Sequence, residues 1–259
     1  METFVIKAVR RGICAEKDEL VTEEVPLTIE VNGGELATLL CSPVDLKELV
    51  IGFLYTSGLM EDFSAIKSLT LDQERWKAYV DADFSLTPEL LSKRLYTSGC
   101  GKGIIFYNPL DLMSRTPLPD GMTVVGEDIF LLMKKFLTAS EEYRRTGGVH
   151  SCALAKGEDM IFKDDIGRHN ALDKVIGAGL QRKIDFASRV MLTSGRVSSE
   201  IVSKALRCRL PVLATGSAPT NQAVKLARAA NLTLLGFVRG QRMNVYSGEQ
   251  RIICRKAEP

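Results

Sequence analysis

A single cysteine in a glycine-rich loop is the first residue of this sequence that could do chemistry. Residues 97–103 read TSGCGKG, so Cys100 has a glycine on each side and Lys102 lies two residues further on. A nearby cation and free backbone N–H groups favour the thiolate, which is the nucleophilic form of cysteine. An exposed surface turn could have the same residues, so the spacing alone leaves both interpretations open.

Two other kinds of site are not supported by these residues. A phosphate-binding loop of the Walker type needs a glycine and a Ser or Thr at positions that Tyr96 and Gly103 occupy here. A zinc deaminase needs a His/Cys-x-Glu pair and a Pro-Cys-x-x-Cys pair. His169 is followed by Asn170 and Ala171, and no two cysteines have the required spacing. We therefore expect no catalytic metal.

Polar, glycine-containing turns recur in the second half of the chain. Five segments combine glycine with hydroxyl, amide or arginine side chains: TGGVHS (146–151), DDIGRHN (164–170), TSGRVSSE (193–200), TGSAPTNQ (215–222) and FVRGQRMN (237–244). We interpret them as strand-to-helix turns, where free N–H groups at helix N-termini bind phosphate. One such turn needs no ligand, since tight turns and helix caps require the same residues. Five in succession predict a site for an anionic ligand such as a nucleotide or a pterin phosphate.

Arginine and histidine side chains on these turns are the candidate ligand contacts. Three arginines could supply planar forks of donors to phosphate: Arg168, Arg196 and Arg239. The only histidines, His150 and His169, lie in the same turns, where each could contact a substrate or transfer a proton. A structural hydrogen-bonding role is the alternative for both. Asp173, four residues after His169, could orient that ring if a helix begins nearby.

The first half of the chain has the pattern of β-hairpins around one helix. The segment 27–42 is two alternating runs joined by Asn32-Gly33-Gly34, which predicts a hairpin. A helix should follow, with Ser42 as its N-cap and Gly58 as its stop. Strands over 66–71 and 76–81 complete a β-grasp-like roll of four strands and a helix.

Strands and helices alternate through the second half of the chain. The order predicts a three-layer α/β domain with a largely parallel sheet, whose ligand would lie beyond the carboxyl ends of the strands. A connector over residues 87–121 separates the halves, and three prolines follow the cysteine loop within it. We place the domain boundary there, with a smaller β-rich domain over 1–115 that ends in the cysteine loop and a larger α/β domain over 116–259.

Composition and charge exclude several classes of protein. The 259 residues are 45% hydrophobic and 25% charged, which is typical of globular proteins. A net charge of +2 is too balanced for a general nucleic-acid binder. We find no signal peptide and no apolar run long enough for a membrane span. The six cysteines are widely scattered, so we expect reduced thiols and a cytoplasmic location.

Long motifs in both halves resemble the formate dehydrogenase accessory sulfurtransferase family. The likeness covers nearly the whole chain and is carried by LTIEVNG and LLCSPVDLKELVIGFLYTSG, then by TGGVHSCAL, DDIGRHNALDKVIG, TSGRVSSEIVSKA, SAPTNQAVKLA and LTLLGFVRGQRMNVY. The resemblance implies a cytidine-deaminase-like three-layer α/β/α domain without zinc, joined to the smaller roll. It also implies a homodimer.

The same resemblance implies a sulfur carrier. Such proteins accept sulfane sulfur from a cysteine desulfurase as a persulfide and pass it to the bis(molybdopterin guanine dinucleotide) molybdenum cofactor, which is then inserted into formate dehydrogenase. Cys100 matches the family's persulfide-carrying cysteine. The cofactor-binding stretch of the family matches Phe237, Val238, Arg239, Gly240, Gln241 and Arg242. The arginines, with Arg168 and Arg196, would then contact phosphates, and His150 and His169 would lie near the pterin or the guanine.

One position departs from the family pattern. Many members carry Cys-Gly-x-Cys in the loop, whereas Gly103 replaces the second cysteine here. A one-thiol persulfide transfer needs only Cys100, but a two-thiol relay is excluded within this loop. The alternative function is therefore a chaperone that binds the cofactor or a guanine nucleotide without sulfur chemistry.

Overall fold

The computed structural model describes residues 1–84, 95–96, 104–105 and 117–254. The helices are α1 (Leu46–Thr56), α2 (Gly126–Ala139), α3 (Glu141–Thr146), α4 (Arg168–Gln181), α5 (Ser199–Arg207) and α6 (Asn221–Ala229). The strands are β1 (Glu2–Arg10), β2 (Ile13–Val21), β3 (Val25–Val31), β4 (Gly34–Cys41), β5 (Ile66–Asp72), β6 (Lys77–Ala82), β7 (Leu95–Tyr96), β8 (Ile104–Ile105), β9 (Val124–Val125), β10 (His150–Lys156), β11 (Asp159–Asp165), β12 (Val190–Thr193), β13 (Val212–Thr215), β14 (Thr233–Arg239), β15 (Arg242–Ser247) and β16 (Ile252–Ile253). None of the helices in these ranges is long and apolar enough to cross a membrane.

The first half forms the predicted roll of four strands and one helix. Its sheet has the order β4-β3-β6-β5, with a parallel central pair between two antiparallel hairpins, which is the β-grasp arrangement. Asn32 and Gly33 have φ angles of 50° and 79°, as a two-residue turn with both φ values positive requires. Helix α1 packs on this sheet and buries Leu49, Val50 and Leu54 in a common apolar core.

The predicted start of α1 is wrong. The helix begins at Leu46, and the residue in the N-cap position is Asp45 with a φ of 53°. Ser42 instead contacts the second half of the chain: its N–H donates to Oδ2 of Asp165 at 3.1 Å, and its Oγ accepts from the N–H of Ile166 at 3.1 Å. Long-range hydrogen bonds thus occupy the groups that would have capped the helix.

The second half is a three-layer α/β/α unit, so the predicted fold class is confirmed. Its sheet has the order β11-β10-β12-β13-β14-β15. Helices α4, α5 and α6 pack on one face, and α2 packs on the other. The expectation of a largely parallel sheet is wrong, because only β12, β13 and β14 run parallel. Short turns through Gly157 and Gly240, with φ of 57° and 59°, fold the outer strands back as antiparallel hairpins.

Two glycines allow α1 and α4 to cross with their backbones in contact. A Cβ atom on Gly52 would lie 1.8 Å from the carbonyl oxygen of Asp173. A Cβ atom on Gly177 would lie 2.0 Å from the carbonyl oxygen of Glu48. At this crossing, α1 of the first half packs directly against α4, which belongs to the helical layer on one face of the larger sheet. The proposed boundary at residues 115 and 116 lies outside the described residues and stays a prediction.

An N-terminal hairpin that the sequence analysis did not predict precedes the roll. Strands β1 and β2 pair over their full nine residues, from Glu2 opposite Val21 to Arg10 opposite Ile13. Arg11 and Gly12, with φ angles of 52° and 80°, form the two-residue turn. Most of the hairpin's side chains are exposed.

Candidate functional site

The five polar turns meet at a single cleft of about 550 Å³. Each turn contributes to its wall: Gly147, Gly148, His150 and Ser151 come from the first, Ile166 from the second, Ser194 from the third, Gly216 and Ser217 from the fourth, and Arg239 from the fifth. Side chains of α2, of α3 and of the residue between them complete the lining: Phe136, Leu137, Ser140 and Tyr143. The segments singled out by composition are therefore neighbours in space.

The topology of the sheet explains this convergence. The parallel strands β12, β13 and β14 end at Thr193, Thr215 and Arg239, all on one edge of the sheet. Strand β10 runs antiparallel to β12 and begins at His150 on that same edge. Ligands of α/β sheets bind outside the carboxyl ends of the strands, and the cleft lies at that edge.

Hydrogen bonds between the turns fix the shape of the cleft. The N–H of Ser151 donates to Oγ of Ser194 at 2.9 Å, and the N–H of Ser194 donates to the carbonyl oxygen of Ser151 at 3.0 Å. Nε of Arg239 donates to the carbonyl oxygen of Gly216 at 2.8 Å, which anchors the guanidinium at the cleft. Thr215 donates its hydroxyl to Gly195 O at 2.8 Å.

Helix N-termini add positive potential at the same edge. The segments that precede α5 and α6 are bridged through Val197 and Pro219, so the two helices start side by side. Ser198 and Thr220 cap them by accepting hydrogen bonds from Ile201 and Ala223. Because the N-terminal ends of helices carry partial positive charge, an anionic ligand is favoured there.

His150 lies in the cleft wall, half-buried and close to Arg168. A Cβ atom on Gly195 would lie 3.6 Å from Nδ1 of His150 and 3.2 Å from Cβ of Arg168, so the glycine leaves room for both side chains. Burial, then the charge of Arg168 and the nearby His169, lower the pKa of His150 below its ordinary value. The neutral imidazole is thus favoured near pH 7, and it can accept one hydrogen bond and donate another.

His169 is buried and does not contribute to the described cleft lining. Its Nε2 lies 3.0 Å from Oε2 of Glu200. An orienting role of Asp173 stays a prediction: the hydrogen bonds described for its carboxylate come from Oγ1 of Thr56 and Nζ of Lys204, both at 2.6 Å. Burial raises the pKa of Asp173, and the charge of Lys204 opposes that shift.

A buried ion pair below the cleft was missed by the sequence analysis. Nζ of Lys174 lies 2.6 Å from Oδ2 of Asp165, and both side chains are fully buried. Oδ1 of Asp165 also accepts from the N–H of Gly167 at 2.8 Å and from Nδ2 of Asn170 at 2.9 Å. These bonds fix the turn over 164–170. The available signal was a lysine in a helix whose neighbouring residues are mostly apolar.

The other predicted arginines differ in their placement. Nε of Arg168 is buried without a hydrogen-bond partner among the described residues, and Arg168 is not part of the cleft lining. Arg196 and Arg242 are exposed, and neither lines the cleft. Across the β14–β15 turn, Arg242 is opposite Arg239.

Residues 237–242 contribute both to the packing of the larger sheet and to a groove on the surface. Phe237 has a φ of 52°, a conformation that bulky side chains rarely adopt, and its N–H donates to the carbonyl oxygen of Ser217 at 2.9 Å. Val238 is fully buried against the α2 layer. The side of α2 forms a second groove, of about 970 Å³, with Arg239, Gly240 and Gln241. This groove adjoins the cleft, because Leu137 and Arg239 line both.

Cys100 and Lys102 lie outside the described residues, so the role of Cys100 stays a prediction. Three of the described cysteines are buried: Cys41, Cys152 and Cys208. Burial raises the pKa of Cys41 and of Cys152 to about 12, and it raises the pKa of Cys208 as well. These thiols are poor nucleophiles near pH 7. Cys14 and Cys254 are exposed. Within the described ranges, no three His, Cys, Asp or Glu side chains form a group that could hold a metal ion.

Fold and site together define a mixed α/β protein with a polar, arginine-containing cleft at the carboxyl edge of its larger sheet. The chain belongs to the FdhD/NarQ family, whose model matches residues 22–253. It is 42% identical over 247 residues to "Sulfur carrier protein FdhD" of Geobacillus kaustophilus, with 94% of each chain covered. It is 40% identical to the protein of that name from Bacillus pumilus, with 96% of each covered.

A solved structure agrees with the fold. A crystal structure described as a formate dehydrogenase accessory protein from Desulfotalea psychrophila matches with a TM-score of 0.80 and 25% sequence identity. The match covers 97% of this chain and 99% of that one. The resemblance drawn from the sequence motifs is thereby confirmed at the level of the family and the fold.

Proposed function

We propose that this protein accepts sulfane sulfur from a cysteine desulfurase and passes it to the bis(molybdopterin guanine dinucleotide) cofactor that formate dehydrogenase requires. Relatives at about 40% identity carry the name sulfur carrier protein, which supports the sulfur half of the proposal. The observation that carries the ligand half is the convergence of five polar turns on one cleft with Arg239 in its wall.

The proposed sulfur chemistry is that of a sulfurtransferase with one thiol. The thiolate of Cys100 attacks the terminal sulfur of the desulfurase persulfide, a new S–S bond forms, and the desulfurase thiolate leaves. Cys100 then holds the persulfide. Cleavage of its S–S bond would leave the electron pair on Cys100 as a thiolate and pass the terminal sulfur, as a sulfur(0) equivalent, to the cofactor as acceptor. Lys102 favours the thiolate through its charge.

The cleft would bind the cofactor as the substrate of this transfer. Arg239 and Arg168 would contact phosphate groups, since the first is anchored at the cleft and the second has a buried Nε without a described partner. Gly147, Gly148 and Gly216 allow a ligand to approach the backbone closely. His150, held neutral, would lie near the pterin or the guanine.

The remaining parts of the proposal concern assembly and location. We propose a cytoplasmic homodimer that contacts a cysteine desulfurase and formate dehydrogenase in turn. These assignments rest on the family to which the chain belongs.

One observation favours a second candidate function. The pattern of the family that the sequence resembles has a second cysteine in this loop, and this chain has Gly103 there. A chaperone that binds the cofactor, or a guanine nucleotide, without carrying sulfur would not need that thiol.

Complementation of a strain that lacks its own sulfur carrier distinguishes the two functions. We expect Cys100→Ala to abolish formate dehydrogenase activity in that strain while the purified variant still binds GDP. Cys14→Ala, a change at an exposed cysteine, is the matched control and should restore activity. Full activity with Cys100→Ala would favour the chaperone over the sulfur carrier.

A further inference from the structure

Two serine hydroxyls in the wall of the cleft share one carboxylate. Oγ of Ser151 donates to Oδ1 of Asp164 at 2.5 Å, and Oγ of Ser140 donates to Oδ2 of the same residue at 2.6 Å. Ser151 and Asp164 are opposite each other in the β10–β11 ladder, and Ser140 lies between α2 and α3. Both serines line the cleft, whereas Asp164 is not part of its lining. The carboxylate therefore acts on the cleft through the two hydroxyls.

The shared carboxylate fixes the direction of both O–H bonds. An ionised carboxylate only accepts hydrogen bonds, and a hydroxyl has one proton to donate and two lone pairs. Each serine has thus directed its proton to Asp164 and can only accept from a further partner. Ser140 already accepts from the N–H of Tyr143 at 2.9 Å, which leaves one lone pair on its oxygen. The hydrogen bonds described for Ser151 leave the lone pairs of its hydroxyl available to the cleft.

We propose that Ser140 and Ser151, oriented by Asp164, select the N–H-donating edge of a flat ring that carries an exocyclic amine, such as a guanine or a pterin. The inference rests on the cofactor-binding half of the proposed function. Phosphate oxygens only accept, so a phosphate group is disfavoured at the serines. It is favoured at Arg239, whose guanidinium only donates.

The neighbours of the two serines suit the faces of such a ring. Phe136 and Leu137 precede Ser140 and Tyr143 follows it, and all three line the cleft. Ligand sites commonly combine apolar and aromatic walls with a few placed polar groups that fix the orientation of the ligand. Guanine and pterin share the flat face and the amine-bearing edge, so the ring chemistry is the same for both sources.

Burial makes this selection strong enough to measure. Ser140 and Ser151 are 3% and 6% exposed, so water has little access to them. A buried acceptor that loses its donor costs binding free energy, and a site built for a polar group rejects the analogue that lacks it. A ring without the amine should therefore bind about tenfold more weakly.

Two pairs of ligands measure the preference by calorimetry on the full chain. GDP carries the exocyclic amine and IDP lacks it; in the second pair, 6-carboxypterin carries the amine and 6-carboxylumazine has an oxo group there. A preference of about tenfold for GDP over IDP would place the guanine against the serines. The same preference confined to the second pair would place the pterin there. Equal affinities within both pairs would overturn the inference.

Asp164→Asn tests whether the carboxylate sets this preference. An amide accepts through one group and donates through the other, so one serine must turn its O–H away from residue 164. We expect the preference to fall below about threefold, while the ligand without the amine keeps its affinity. Asp159→Asn, at the other end of β11, removes a largely exposed carboxylate and is the matched control that should keep the full preference.

Ser151→Ala removes one acceptor without changing the charge. It should lower the affinity for the amine-bearing ligand to that of its partner in the pair, and urea unfolding shows that each variant is folded. An undiminished preference in both Asp164→Asn and Ser151→Ala would contradict the inference and leave the proposed binding of the cofactor intact. If none of the four ligands binds the unsubstituted chain, the ligand half of the proposed function fails and this inference fails with it.

Discussion

Asp165 and Lys174 form an ion pair, 2.6 Å between Oδ2 and Nζ, in which neither side chain is exposed to solvent. The carboxylate holds the turn over 164–170 through Gly167 and Asn170, and it also accepts from the N–H of Ser42 in the first half. The pair therefore connects the roll to the turn that forms one wall of the cleft.

Removal of one partner from this pair should destabilise the protein strongly. Lys174→Met leaves the Asp165 carboxylate buried without its counter-charge, and such changes cost ~3–5 kcal/mol of unfolding free energy. Urea unfolding measures this loss. Lys67→Met, which removes an exposed pair with Asp83, is the control and should leave the midpoint unchanged. Equal midpoints for both variants would show that the buried pair contributes nothing.

Close contact between α1 and α4 makes Gly52 intolerant of a side chain. Gly52→Ala would put a Cβ atom 1.8 Å from a backbone oxygen, so the helices must separate. We expect a loss of at least ~2 kcal/mol in thermal or urea unfolding, as for overpacked cores. At Gly121 a Cβ atom has no heavy atom within 4 Å, so Gly121→Ala should be tolerated. An unchanged stability of Gly52→Ala would rule out this crossing.

The stability of the protein should depend on pH through His150. Because its pKa in the folded state lies below the ordinary value of 6.5, the unfolded chain binds a proton first as the pH falls. The contribution of His150 to the free energy of unfolding is fully present above about pH 6.5. It is lost as the pH falls below that value. Urea unfolding at about pH 7.5 and about pH 5.5 should show a smaller decrease for His150→Gln than for the unsubstituted protein. The same decrease in both proteins would contradict the lowered pKa.

Ligand binding in the cleft should depend on Arg239. Arg239→Ala removes a guanidinium that is anchored at the cleft, so we expect at least ~10-fold weaker GDP binding by calorimetry, and a weaker dependence on salt. Lys225→Ala, a change at an exposed cation on α6, is the control. If the two variants bind GDP equally, phosphate does not lie against Arg239.

Local sequence signals predicted the roll and the α/β/α unit but not the N-terminal hairpin, and long-range contacts decided the role of Ser42. Asn32 and Gly33 specified a hairpin turn through their backbone preferences, and the strand-end rule brought the five polar turns to one edge. Ser42 had the local signature of a helix cap, but its hydrogen bonds go to residues more than 120 positions away. Nε2 of His169 lies 3.0 Å from Oε2 of Glu200, a neighbour that the spacing within the helix did not indicate.

Sulfur transfer through Cys100 depends on the reactivity of one cysteine among six. The three buried thiols have raised pKa values and should take up no sulfur in the folded protein. Cys14 and Cys254 are exposed, but exposure alone should not allow them to accept sulfur. Persulfide formation needs a thiolate in a cationic, accessible setting.

The most direct measurement is mass spectrometry of the protein after incubation with a cysteine desulfurase and cysteine. We predict a mass gain equal to one sulfur atom, removed by reductant, that maps to the peptide containing Cys100 and is absent from Cys100→Ala. Sulfur on another cysteine, or an unchanged adduct in Cys100→Ala, would contradict the claim.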